Sequence, residues 1–169
     1  MKKTLSLLLT LLLVAALFPA GAVASGKTFT LMVYMCGTDL ESDGGCATAD
    51  LKEMIKAGVK ADGNVTVYVQ TGGTLKWATR GMTNREGERW LVSKDGMQRV
   101  DSLGRVDMGD GDTFTEFLRY GLQNYPADRY GLVLWDHGAG ATDGVCYDEI
   151  TGNSLNMAEI YQSLTGVSN

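Results

Sequence analysis

The spacing of apolar residues restricts the fold of this chain more than any other feature. Residues 28–35 of the stretch TFTLMVYMCGTDLES form a continuous β-prone apolar run, the pattern of a strand covered on both faces. In CATADLKEMIKAG, Ala47, Leu51, Met54 and Ile55 recur at helical spacing, and Gly58 stands where a carboxyl cap belongs. NVTVYVQTGG gives a second buried strand over 65–70, stopped by Gly72 and Gly73, and YGLVLWD a third over 132–135. Before that third strand, GDGDTFTEFLRYGLQNYP reads as a helix. Asp112 or Thr113 caps it, Glu116 takes the capping-box place, and Phe114, Phe117, Leu118, Gly121 and Leu122 form its buried stripe. Pro126 ends it. SLNMAEIYQSLTG is a last helix, capped by Ser154 or Asn156, with Met157, Ile160, Tyr161 and Leu164 facing inward.

Strands alternating with helices predict an α/β fold, a three-layer α/β/α sandwich around a mostly parallel sheet. The segment between the second strand and the second helix differs in character. Its short polar-aromatic runs over 76–79 and 89–92, broken by glycines, predict a small antiparallel hairpin insert, with KDG as a further turn. Three long strands make a thin sheet. Another central strand is expected after the last helix, so the fold reads as incomplete at its C-terminus.

The amino terminus, MKKTLSLLLTLLLVAALFPAGAVASG, has a basic start, a leucine-rich run too short for a membrane span, and the small residues Ala22 and Ala24 around Val23. That is the plan of a secretory signal peptide over 1–24, with cleavage after Ala24. Residues 25–169 then form one domain of a secreted protein. Losing Lys2 and Lys3 makes the formal net charge of −5 more negative, which disfavours nucleic acid and anionic membrane as partners. The cysteine count is odd. Cys36 and Cys46 have the option of bridging, and at least one thiol stays unpaired. One histidine and no CxxC spacing leave no basis for a structural zinc.

Reactive groups in such sheets gather where loops leave the carboxyl ends of strands. His137, the sole histidine, lies at such an end, in YGLVLWDHGAGATDGVCYDE. A lone histidine serves equally as a structural or surface residue. Gly138 and Gly140 nevertheless keep the backbone beside it bare, so its amides are open to a substrate oxyanion, and imidazole is the side chain best suited to shuttle protons near neutrality. Asp136 points to the opposite side of the strand and reads as a loop or cap acceptor. Cys146 and Cys36 are both candidate nucleophiles, the first on the glycine-rich exit loop and the second at a strand end. Each reads equally well as a small buried hydrophobe. The acids Asp107, Asp110, Asp112 and Glu116 invite a calcium reading, but Gly109, Gly111 and Phe114 occupy ligand places of an EF-hand loop. GDGDTF and GAGATD lack the third glycine of a dinucleotide fingerprint, which leaves a flavodoxin-like phosphate binder as a weak reading.

FTLMVYMCGTDLES, ADLKEM, NVTVYVQTGG, VDMGDGDTFTEFLRYGLQNYPADRYGLVLWDHGAG and YDEITGNSLNMAEIYQSL together resemble the clostripain family of cysteine endopeptidases, from about residue 28 onward. YPADRYGLVLWDHGAG is the most specific block. The resemblance implies a caspase-like sandwich, His137 as the catalytic histidine and Gly138 as an oxyanion donor. It also implies peptide hydrolysis after Arg or Lys, without an obligatory cofactor. The family nucleophile is a Cys in an Asp-Ala-Cys-Leu type motif, on a strand that follows the SLNMAEIYQSL helix. That motif, which also carries an acid shaping the pocket for a basic side chain, does not occur here. Cys146 does not sit in its context. Family members are often cut into light and heavy chains after export. The chain therefore reads as the amino-terminal part of an exported cysteine peptidase, inactive alone, whose partners are peptide substrates and a missing C-terminal chain. The alternative is a truncated, non-catalytic homologue that binds peptides or partners.

Overall fold

A computed structural model describes residues 28–168; the expected signal peptide over 1–24 lies outside them. Strand β1 (Phe29–Cys36) is central, flanked in parallel register by β2 (Val65–Gly72) and β5 (Arg129–Trp135). Helices α1 (Thr38–Ser42) and α2 (Cys46–Lys56) connect β1 to β2. Strands β3 (Glu88–Ser93) and β4 (Gly96–Ser102) follow β2, and α3 (Gly111–Asn124) leads into β5. The sheet order is β4-β3-β2-β1-β5. A four-residue helix α4 (Gly140–Asp143), the antiparallel pair β6 (Val145–Asp148) and β7 (Asn153–Leu155), and helix α5 (Met157–Val167) complete the described residues.

The continuous apolar run of β1 is explained by the two-residue period of a strand, which sends its side chains alternately to two covered faces. Met32, Tyr34 and Cys36 join Tyr68 under α3 and α5, with Phe114, Phe117, Leu118 and Ile160. Val33 and Met35 join Val67, Val69, Trp90 and Val92 under α2, with Ala47 and Leu51. Helices on both faces make the three-layer α/β/α sandwich.

The sheet is mixed where a mostly parallel one was expected, because the hairpin continues its β2 edge through two antiparallel pairings. The hairpin is β3–β4, and the KDG segment is its turn, closed by Gly96 at φ +120°. Residues 76–79, expected as a strand, are instead part of a loop that long-range carboxylates hold at residues 75 and 78. Ala78 N–H donates to Glu41 at 2.8 Å and Leu75 N–H to Glu149 at 3.0 Å.

Asp110, not Asp112 or Thr113, caps α3, accepting from the Thr113 N–H. Glu116 pairs with Arg119 instead of closing a capping box. On α5, Asn156 and Glu159 form a full capping box. Two further expectations are corrected. Met157 and Tyr161 are 51% and 69% exposed, and Leu164 is exposed too. Helix α5 seats its other stripe, Ile160 and Ser163, with Ser163 bonded to Thr115 and Gly111 of α3. Strand β5 is likewise not buried. Leu132 and Val133, which point to opposite faces, are 37% and 38% exposed, because β5 is the sheet edge among the described residues. No described helix is long and apolar enough to cross a membrane.

Candidate active site

The carboxyl ends of β5, β1 and β2 lie side by side, since Trp135 pairs with Met35 and Cys36 with Gly72. The loops leaving those three ends meet over one edge of the sheet. His137 stands two residues beyond β5, and Asp39, in the first turn of α1, three beyond β1. Their side chains touch, with Asp39 Oδ1 3.2 Å from His137 Nε2, and each is 57% exposed. A hydrogen bond from the Thr38 hydroxyl, joined by the attraction of His137, holds the Asp39 carboxyl below its ordinary range.

Asp136 serves the backbone. Its two oxygens accept from the N–H groups of His137 and Tyr147, both at 2.6 Å. Burial pushes its carboxyl up to about 6, against the opposing pull of those two N–H groups. Gly138 bridges to Val145 without using its own N–H, which meets no acceptor among the described residues. The space around its Cα is open to 4 Å.

The two thiols near this edge are both interior. Cys146, held at φ +59°, is fully buried among core side chains, and burial pushes its thiol far above the ordinary range. Cys36 is buried in the same cluster, donates to the Tyr147 carbonyl at 3.3 Å, and is raised by burial and by the nearby Cys146. A nucleophile needs an exposed thiolate, and neither thiol offers one. All three cysteines are free, with Cys46 exposed at the start of α2 and Cys36 interior. Asp107 spends its oxygens on Gly109, Thr151 and Asn153, and Asp110 on its cap. No group of three or more His, Cys, Asp or Glu among the described residues is placed to hold a metal ion.

Local pattern does not reveal the carboxylates that brace this edge. Asp148, fully buried, accepts from the N–H groups of Met108, Ile150 and Thr151. Glu149 donates its N–H to the Gly73 carbonyl and accepts from Ser42 and Leu75. Residues 147–149 thus tie together the loops that leave β5, β1 and β2. Gly73, at φ +67°, lies so close to Cys36 Sγ that a Cβ would meet it at 2.4 Å. A cavity of about 290 Å³ opens beside Gly72 and Gly73, walled by Arg85, Arg105 and Thr151. His137 lies apart from it, on open surface beside the exposed edge of β5.

Residues 33–169 match the model of peptidase family C11, the clostripain family. The chain belongs to the clostripain family. It is 23% identical over 163 residues to clostripain of Hathewaya histolytica, covering 79% of this chain and 31% of that protein. Its fold matches a secreted C11 cysteine protease from Bacteroides thetaiotaomicron, solved with an irreversible peptide inhibitor. The TM-score is 0.60 at 23% identity, over 82% of this chain and 39% of that one. A cysteine protease of B. fragilis matches with a TM-score of 0.51 at 20% identity, over 67% of this chain and 91% of that one. The chain thus spans about a third of the curated clostripain. It shares the caspase-like α/β/α fold of the C11 proteases and carries the small antiparallel sheet β6–β7.

Proposed function

We propose that this chain is the amino-terminal part of an exported cysteine endopeptidase. It supplies His137 and Gly138, while the attacking thiol comes from a segment that pairs with the open edge of β5. One observation carries the reading: His137 is exposed beside an unpaired strand edge, while Cys36 and Cys146 are buried with raised thiols. The exposed stripe of Met157, Tyr161 and Leu164 gives such a segment apolar surface to cover.

In this scheme the thiolate attacks the scissile carbonyl carbon, forming a C–S bond and an oxyanion that accepts a hydrogen bond from the Gly138 N–H. His137, protonated, gives its proton to the leaving amine as the C–N bond breaks. The imidazole then takes a proton from water, whose oxygen displaces the thiolate from the thioester and releases the carboxylic acid. One oxyanion donor is worth roughly 3–4 kcal/mol in other hydrolases. The reaction uses side chains and backbone, cleavage follows Arg or Lys, and the chain alone does not turn over. A signal peptide over 1–24 directs export.

The open edge also favours a second reading, in which β5 takes an extended peptide as an added strand without cleaving it. Reading the gene past codon 169 separates the two. A strand ending in Asp-x-Cys-Leu supports the peptidase, and a stop codon there supports the binder.

A further inference from the structure

We propose that Asp39 is the positioning residue of His137, holding the ring through Nε2 and leaving Nδ1 as the nitrogen that exchanges protons with the reacting groups. The inference rests on His137 as the proton shuttle and goes further by naming the working atom and what orients it.

Asp39 is an ionised carboxylate, so its oxygens only accept. At 3.2 Å from Oδ1, Nε2 must therefore be the protonated nitrogen, and in the neutral ring Nδ1 is bare. The rival orienting group, Asp136, is occupied, since its two oxygens bind the N–H groups of His137 and Tyr147. The neighbouring acid sets the loop, and the distant one sets the ring.

The placement of Asp39 is itself built. Thr38 sits at φ +42°, a region that branched residues enter only when their surroundings impose it. Its N–H donates to the Gly73 carbonyl at 3.0 Å, its carbonyl accepts from the Thr74 hydroxyl at 2.9 Å, and its own hydroxyl donates to Asp39 Oδ1 at 3.1 Å. Behind it, the buried Glu41 fastens α1 to the start of α2 through the Thr48 N–H and hydroxyl, and to residue 78 through the Ala78 N–H. Strain at the buried Thr38, braced from three sides, places the exposed carboxylate of Asp39 beside the sole histidine.

That sole histidine makes the test direct. The ring nitrogens of His137 are observed by long-range proton–nitrogen correlation in the uniformly ¹⁵N-labelled full chain, at a pH where the ring is neutral. The expected wild-type pattern is one tautomer, protonated on Nε2. Asp39→Ala is expected to give the two-tautomer mixture of an unconstrained imidazole, and Asp39→Asn, which keeps an acceptor oxygen, to retain most of the wild-type pattern. Backbone amides away from α1 stay in place, because Asp39 is a surface residue. Identical ring shifts in wild type and Asp39→Ala, or a wild-type ring protonated on Nδ1, overturn the proposal.

In a form that turns over, Asp39→Ala is expected to lower kcat by about tenfold or more with KM unchanged. An unaltered kcat overturns the proposal. Full activity in His137→Ala would overturn the underlying reading of the site instead, without touching the ring pattern.

Discussion

Around β1 and β2 both faces of the sheet are covered, whereas at β5 both are covered only at its carboxyl end. Tyr34, Met35, Tyr68 and Val69, two consecutive pairs pointing to opposite faces, are fully buried. Leu132 and Val133, which pair with the buried Met32 and Val33 of β1, are each more than a third exposed. Both regions read alike in sequence, as apolar β-prone runs. The difference shows that such a run specifies a strand suited to double coverage but does not supply the cover. For β1 and β2 the cover is α2, α3, α5 and the hairpin. For β5 that cover reaches only Leu134 and Trp135, the latter bonded to Asp50 of α2, and α5 leaves a stripe exposed. His137 stands at the boundary, braced from the closed side through Asp39 and facing the open side.

The largest expected effect lies on the closed side. Phe117 packs against Tyr34, Tyr68 and Phe114 at ring-centroid distances of 5.1, 5.1 and 6.2 Å. Phe117→Ala should cost about 3–5 kcal/mol in chemical denaturation, by lost burial and the cavity left behind. A loss below about 1 kcal/mol would show this side to be as loosely covered as β5.

A smaller effect is expected at the boundary. Asp136 is pushed up to about 6 by burial, against an ordinary value of about 3.9 in the unfolded chain. Between those values the folded protein holds a proton that the unfolded chain has released. The stability associated with this group is therefore full below pH 4 and is lost as pH rises through 6. Because Asp136 is only half-buried, the change is kept to about 1 kcal/mol. Denaturation midpoints measured from pH 4 to 7 should show this decline, and Asp136→Asn should flatten it. An equal decline in the variant would assign it elsewhere.

The smallest effect per residue belongs to the open side. Replacing Met157, Tyr161 and Leu164 together by Ser should change the stability of this chain by no more than about 1.5 kcal/mol, about 0.5 for each, because all three side chains are exposed. A loss of several kcal/mol would mean that the stripe is already covered in solution, and the contrast would disappear.

How much was legible in sequence follows the same division. Strands β1 and β2 and helix α2 were readable to within a residue or two, because period, apolar content and glycine stops agree there. The hairpin was misplaced because the loop that includes residues 76–79 is held at Ala78 by Glu41 and at Leu75 by Glu149, carboxylates 37 and 74 residues away that leave no local pattern. The cap of α3 was misplaced because Asp110, Asp112 and Thr113 are all capping residues, and only backbone geometry selects Asp110. The burial of Met157, Tyr161 and Leu164 was misjudged because a helical stripe shows what wants cover, not whether a partner is there. The place of His137 just beyond a strand end was legible. Asp39, 98 residues away, was not, although an acid three residues beyond the neighbouring strand was a usable signal. The burial of Cys36 and Cys146 depends on the sheet β6–β7 folding back over β1, which spacing alone does not reveal.

The central claim is that His137 works with a thiol brought to the open side by another segment. Hydrolysis of an arginyl peptide by this chain, and by the same chain continued through a segment bearing the Asp-x-Cys-Leu strand, measures it directly. The account predicts no turnover by the chain alone, turnover by the continued form, and its loss in His137→Ala. Turnover by the chain alone that disappears in Cys146→Ala would contradict it.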